Sequence, residues 1–374
     1  MTEKSIIEKK AISSINVAGL NINFQRTCRV PEGQVNSLPA GLGSFPLFKV
    51  DDFKSGVPKD WNGYFMPMYA QEAMWINFGR HYNKNPNALV IGAGSINAVT
   101  GKQMKRKGKD FEMILEDPQN YLVVPPQPWI DGWKDKDGKI YQFVAAYMGS
   151  GETIEGQITG EEKFGGIQLG VFNPKPGENL TKATRPNEYI EGGSWDSYPF
   201  GGEDILCCFA DSLGVSEKSI DSCFSMESLG SEIKACASYE APTMKALASK
   251  PNLSVSLRSR SSEKPKARKA VSIQAMGLGR GGEISQKIYP DPYGLKVWNE
   301  KPEERTYLYM VDEESFRQIT GHRAPATPVT FEKYQQYGLP WFDLHDKKLK
   351  DTPGNDVFGK LKTVKGKKGK KTKL

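Results

Sequence analysis

Between residues 88 and 172 the chain offers almost nowhere to place a crossover helix, and this limits its fold more than any other feature. Strand-like runs stand at 88–92, 111–115, 120–124, 140–148 and 166–172. Past residue 111 only short turns divide them, marked by Asp117-Pro118, Pro125-Pro126 and Asp137-Gly138. Parallel neighbours need a connection of about a dozen residues or more, whereas antiparallel neighbours close through tight turns. The spacing therefore predicts an α+β, β-rich protein with a mainly antiparallel sheet, a few short helices and long ordered loops. It disfavours a doubly wound parallel sheet. The 38 glycines and 24 prolines agree with many short elements.

The flanks add detail. Residues 20, 22, 24, 28 and 30 are apolar in Leu20–Val30, with Arg26 the exception, and this alternation predicts a half-buried strand ended by Pro31. Residues 33–60 read as a long ordered loop. Met68–Phe78 is a helix candidate, because Tyr69, Ala73 and Ile76 share a side; Met74, Trp75 and Phe78 lie off that stripe and would make the helix largely buried. Order resumes at Ala270, and Thr306–Val311 predicts a strand. Asp312 caps a helix over 313–320 that Gly321 ends. Thr330 starts a short helix stopped by Gly338, and Leu339–Leu344 is an apolar strap over the core.

Composition divides the chain into a flexible leader (1–16), a first core segment (17–185), a serine-rich and partly disordered insertion (186–269), a second core segment (270–346) and a lysine-rich disordered tail (347–374). The formal charge is +7, yet eight lysines and no acid lie between Val357 and Leu374, leaving the rest of the chain at −1. The basic pI belongs to the end, so a nucleic-acid-binding body is not indicated. Weak, salt-sensitive contact with nucleic acid or acidic surfaces is expected of the tail alone. A homo-oligomer is compatible with this composition. The cysteines at 28, 207, 208, 223 and 236 form no CxxC pair and read as reduced thiols. No signal-like core and no apolar run of membrane-crossing length is seen, which reads as a soluble, cytoplasmic protein without membrane insertion.

Ala88-Leu89-Val90-Ile91-Gly92-Ala93-Gly94 leads to Gly101-Lys102-Gln103, which misses both the P-loop spacing and its hydroxyl. Asn97 replaces the third glycine of a dinucleotide turn. A glycine-rich bend is the expected form. Gly277-Leu278-Gly279-Arg280-Gly281-Gly282 satisfies GxGxxG, but Pro290 follows too soon for the usual helix, so this also reads as a loop, allowing close approach or positive φ. Arg280 among its glycines is a candidate anion grip. No cofactor or metal site is indicated, and the three histidines (81, 322 and 345) offer little for one. Among the carboxylates, Asp131 stands between Trp129 and Trp133, and Glu152 and Glu155 follow the next hairpin strand. Paired acids beside indoles suit glycan hydrolysis.

Several phrases together carry a resemblance: Phe24–Pro31 (FQRTCRVP), Gly41–Leu47 (GLGSFPL), Pro67–Trp75 (PMYAQEAMW), Ile96–Gly101 (INAVTG), Pro128–Gly132 (PWIDG), Gln157–Gly160 (QITG), Gly165–Gln168 (GGIQ), Ile288–Leu295 (IYPDPYGL) and Gly338–Asp343 (GLPWFD). The chain resembles a family of hypothetical proteins, mainly bacterial with some microbial eukaryotic members, for which no activity is established. The likeness covers roughly 20–175 and 270–345, and implies one domain interrupted by the serine-rich stretch. It assigns no catalytic residue. The functional expectation is a non-catalytic binding or structural protein with Trp129, Arg280 and Asp291 at its ligand. The alternatives are a glycan hydrolase using Asp131, Glu152 and Glu155, or an anion or nucleotide binder through Gly277–Gly282.

Overall fold

The structure, a computed structural model, describes residues 10–39, 41–78, 86–108, 110–178, 180, 273, 275–324, 341–342 and 350–365. The fold is β-rich, with mixed sheets and few helices. Its larger sheet has nine strands. Along its main path run β1 (Ile15–Val17), β2 (Leu20–Thr27), β8 (Ala73–Asn77), β16 (Ile140–Ala146), β18 (Gly277–Ile284) and β3 (Val35–Asn36). β5 (Gly41–Ser44) joins β2, β14 (Trp129–Ile130) joins β8, and β15 (Gly132–Lys134) joins β16.

The second sheet has seven strands, in the order β10 (Ile96–Asn97), β9 (Asn87–Ala93), β17 (Ile167–Phe172), β19 (Glu304–Val311), β7 (Tyr64–Pro67) and β6 (Phe48–Lys49). β13 (Leu122–Val124) adds to β9. Two small ribbons pair β11 (Arg106–Lys107) with β12 (Asp110–Phe111), and β20 (Trp341–Phe342) with β4 (Leu38–Pro39). Among these ladders, β18 with β3 and β19 with β7 are parallel. The sheets are therefore mixed, and the antiparallel majority has two exceptions that join segments far apart in the chain.

Strand alternation explains how the sheets meet. Ile22 and Phe24 of β2, Met74 and Ile76 of β8, and Phe143 and Ala145 of β16 share one buried cluster with Leu89, Ile91 and Ala93 of β9 and with Leu169, Val171, Leu308 and Met310. One core thus lies between the sheets. The second sheet buries its other face as well. Ala88, Val90 and Phe172 pack on Val123, Tyr121 and Trp298, while Phe48, Phe65 and Val311 pack under Phe316 and Ile319 of helix α2 (Glu313–Thr320). The other α-helix used below, α1, spans Ile154–Thr159.

Local signals served well where the cause is local. Asp312 accepts a bond from the Ser315 amide at 2.8 Å, and Gly321 closes α2 at φ 76°, as its cap and stop residues predict. After β9, Gly94 and Ser95 both take positive φ, so the glycine-rich bend expected after Ile91 is a two-residue hairpin turn into β10.

Elsewhere the sequence expectations are corrected. Met68–Phe78 is not a helix: its 73–77 portion is a strand held between β2 and β16, buried on both faces. Residues expected as one loop over 33–60 contain β3 to β6. The run expected over 111–115 pairs only at Asp110–Phe111. Gly277–Gly282 is not a loop and none of its glycines has positive φ; it is the body of β18. Close approach does account for those glycines. A Cβ on Gly279 would stand 2.6 Å from the Glu152 carbonyl oxygen, and one on Gly282 would stand 2.5 Å from that of Pro31.

Both ends are also more engaged than expected. Ile12 bridges Leu47, and β1 begins inside the presumed leader. Within the presumed disordered tail, 350–365 lies against the larger sheet, with Phe358 and Val364 buried. The 186–269 insertion, the 330–338 helix, His81, His345 and four of the cysteines lie outside the described residues; Cys28 is buried as a free thiol. No helix among the described residues is long and apolar enough to cross a membrane.

Candidate functional site

Asp131 lies where the chain leaves β14 and enters β15. Its backbone amide bonds the Gln286 side chain at 2.9 Å, and its carbonyl accepts from Phe143. Residues 129 and 131 point to one face of the strand, so the Trp129 indole reaches back and donates to Asp131 Oδ2 at 2.9 Å. The carboxyl is only 1% exposed. Burial pushes its pKa up to about 7, against the opposing pull of the Trp129 bond.

The two glutamates have other partners. Glu155, on α1, is 3% exposed; its carboxylate accepts from the Phe164 amide at 3.2 Å and the Gly165 amide at 3.0 Å. Burial raises its pKa while those amides pull it down. Gly94 presses on the same carboxylate, leaving 2.7 Å between Oε2 and any added Cβ. Glu152 accepts from the Lys365 amide at 3.2 Å, and its carbonyl bonds Gln157. Each of the three acids is thus bonded by its own set of groups, with no hydrogen-bond partner among the described residues in common between Asp131 and either glutamate.

Arg280 does not stand in a flexible loop. Its guanidinium lies 3.6 Å from the Tyr141 ring centroid and donates to the carbonyls of Gly359 and Leu361. The position expected to hold an anion holds the C-terminal segment. Asp291 is also committed: Oδ2 accepts from the Tyr121 hydroxyl and the Trp298 indole, both at 2.7 Å, and Oδ1 accepts from the Tyr293 amide at 2.8 Å. Burial, then the Asp291 bond, holds the Tyr121 phenol above its ordinary pKa, so it remains a donor. Asp291→Ala leaves the buried Trp298 donor without an acceptor, and a loss of roughly 1–3 kcal/mol is expected in denaturant unfolding. An unchanged midpoint would remove the clamp role.

An open cleft was not anticipated. It encloses about 550 Å³, within the usual range for a small-molecule site. Its floor is Glu155, its rim carries Lys105, Arg106 and Lys163, and Phe111 and Phe164 form one wall. Those rings meet edge to face at 5.0 Å, and the Arg106 guanidinium lies 5.0 Å above Phe164. Lys163 pairs with Glu161 at the rim, which leaves Lys105 and Arg106 as exposed cations without an ion pair among the described residues. The 105–107 basic run was visible in the sequence, but nothing local placed Phe164 or Glu155 beside it. Among the described residues no group of His, Cys, Asp and Glu is arranged to hold a metal ion.

This arrangement defines a class by shape alone: a β-rich scaffold of two mixed sheets with an aromatic, cation-rimmed cleft. Comparison with protein-family models, with curated proteins and with solved structures gives no match for the chain.

Proposed function

We propose that the protein is a non-catalytic binding protein whose open cleft takes a small anion bearing a flat or apolar portion. The observation that carries this reading is the contrast between the carboxylates and the cleft. Glu155 and Asp291 spend their oxygens on scaffold amides, an indole and a phenol. Lys105 and Arg106 instead keep exposed charges beside two apolar rings. Cations at a rim attract an anion over several ångströms, and the ring wall supports a planar group.

The test is calorimetric titration of the full chain with aromatic carboxylates and aromatic phosphates. Binding should weaken with added salt, because the rim charges are exposed. Either Lys105→Ala or Arg106→Ala should raise Kd roughly 10–100-fold, from about 1.4 kcal/mol per factor of ten and about 1.5–3 kcal/mol per charged hydrogen bond. No heat with any member of the panel would overturn the reading, as would turnover of a substrate that vanishes on changing a cleft residue.

A further inference from the structure

The face of the larger sheet turned away from the core carries a short row of unsatisfied polar atoms. In β2, Ile22 and Phe24 enter the core, which places Asn23 and Gln25 on the other face. In β8, Met74 and Ile76 enter the core and Trp75 faces out; Ile130 likewise enters it, and Trp129 and Asp131 face out. Gln25 and Trp75 are direct cross-strand partners. Trp129 stands opposite Asn77 and Ile130 opposite Ile76, so Asp131 follows at the position beside Trp75.

Gln25 Oε1, Trp75 Nε1 and Asp131 Oδ1 are all buried and have no hydrogen-bond partner among the described residues. Their residues are 1%, 3% and 1% exposed. The rest of each polar group is satisfied. Gln25 Nε2 bonds Asn23 Oδ1 and Ser44 Oγ, both at 2.8 Å, and Asp131 Oδ2 holds the Trp129 indole. Buried polar atoms in folded proteins are almost always bonded, to protein or to ordered water, so three orphans on neighbouring positions ask for one common explanation.

Their chemistry restricts the occupant. With Asp131 ionised, the row presents one donor, the Trp75 indole, and two acceptors, Gln25 Oε1 and Asp131 Oδ1; with Asp131 protonated, Oδ1 becomes a second donor, which a water or a hydroxyl pair answers equally well. An anion would face both acceptors, and a cation would leave the indole unanswered. The complementary set is one acceptor lone pair with two donor protons. A water molecule supplies it, and so does a pair of adjacent hydroxyls on a polyol. Leu38 packs with Trp75 and Trp129, adding an apolar wall of the kind that meets the carbon face of a polyol.

We propose that Gln25, Trp75 and Asp131 form a buried site for hydroxyl groups, filled by a bound water or by the vicinal diol of a small polyol. This site is separate from the cation-rimmed cleft and stands whether or not that cleft binds an anion.

Solution NMR on the full chain tests it through the Trp75 indole proton, assigned by its loss in Trp75→Phe. In polyol-free buffer, a cross-peak from this proton to a slowly exchanging water supports the site and identifies its occupant as water. Replacement of that cross-peak by one to carbon-bound protons of added glycerol or glucose, saturating with concentration, supports it and identifies a diol. Contacts to protein protons alone, in buffer and with either polyol, overturn it. Gln25→Met provides a second reading that keeps side-chain bulk while removing an acceptor. The solvent or polyol cross-peak should weaken or vanish in that variant, and an unchanged peak counts against the assignment.

Discussion

Ending the chain at residue 349 should abolish stable folding, the opposite of what loss of a solvated lysine tail would do. Phe358 is fully buried against Trp133, with ring centroids 5.1 Å apart, and belongs to the core between the sheets. Removing such a ring costs about 3–5 kcal/mol. Lys134 is 0% exposed, and its ammonium is held by Asp351 and by the carbonyl and hydroxyl of Thr352. Burial lowers its pKa and Asp351 opposes that shift. Stripped of these partners, a buried ammonium costs a further 3–5 kcal/mol or so. The guanidinium of Arg280 and the carbonyl of Lys134 lose their contacts to Leu361 and Asn355 as well. Together these losses rival the 5–15 kcal/mol that holds a typical domain folded. Circular dichroism and urea unfolding would read the result. Phe358→Ala in the full chain is the milder form, expected to lower stability by about 3–5 kcal/mol. If both variants kept the wild-type midpoint, the segment would be a passenger.

That segment also shows where sequence reasoning ran out. Lysines dominate its composition, so the average charge hid Phe358 and Val364, and no local pattern announces contact with Arg280 about eighty positions earlier. β8 was missed for a related reason. Met74, Trp75 and Ile76 are buried on both faces, which erases the period-two alternation and leaves an apolar run that fits a helix equally well. The glycines of β18 serve elements that pass over the strand, a tertiary cause that the GxGxxG spacing cannot reveal. The cap of α2 and the Gly94-Ser95 turn were legible because their causes lie within a few residues. Trp129 and Asp131 stand between these cases. Their i, i+2 spacing puts them on one face once β14 forms, and the indole reaches the carboxylate, but no strand was expected there. What the spacing could not show is that Trp75 and Gln25 arrive beside them from distant strands.

Asp131→Asn should stabilise the protein at pH 8 and make little difference at pH 4. The folded-state pKa is raised to about 7 from an ordinary value of 3.8, with burial the main cause. Between those values the native state holds a proton that the unfolded chain has released. Stability from this group is therefore fully present below pH 4, falls as pH rises toward 7, and is lost above it. At about 1.4 kcal/mol for each tenfold change in proton affinity, the fall is roughly 4 kcal/mol at most. A hydroxyl donating to Oδ1 would favour the ionised form and reduce the fall, to about 2 kcal/mol if it acts as a charge-assisted hydrogen bond. Asparagine has nearly the same shape, retains an oxygen to accept from the Trp129 indole, and cannot ionise. Its unfolding free energy should lack this decline, so the two proteins part between pH 4 and 7 and differ by about 2–4 kcal/mol at pH 8. Parallel urea titrations of both at several pH values would show it. If the curves stayed parallel, or the variant were the less stable one at pH 8, Asp131 would be ionised in the fold without penalty, and some donor would have to be holding its second oxygen throughout.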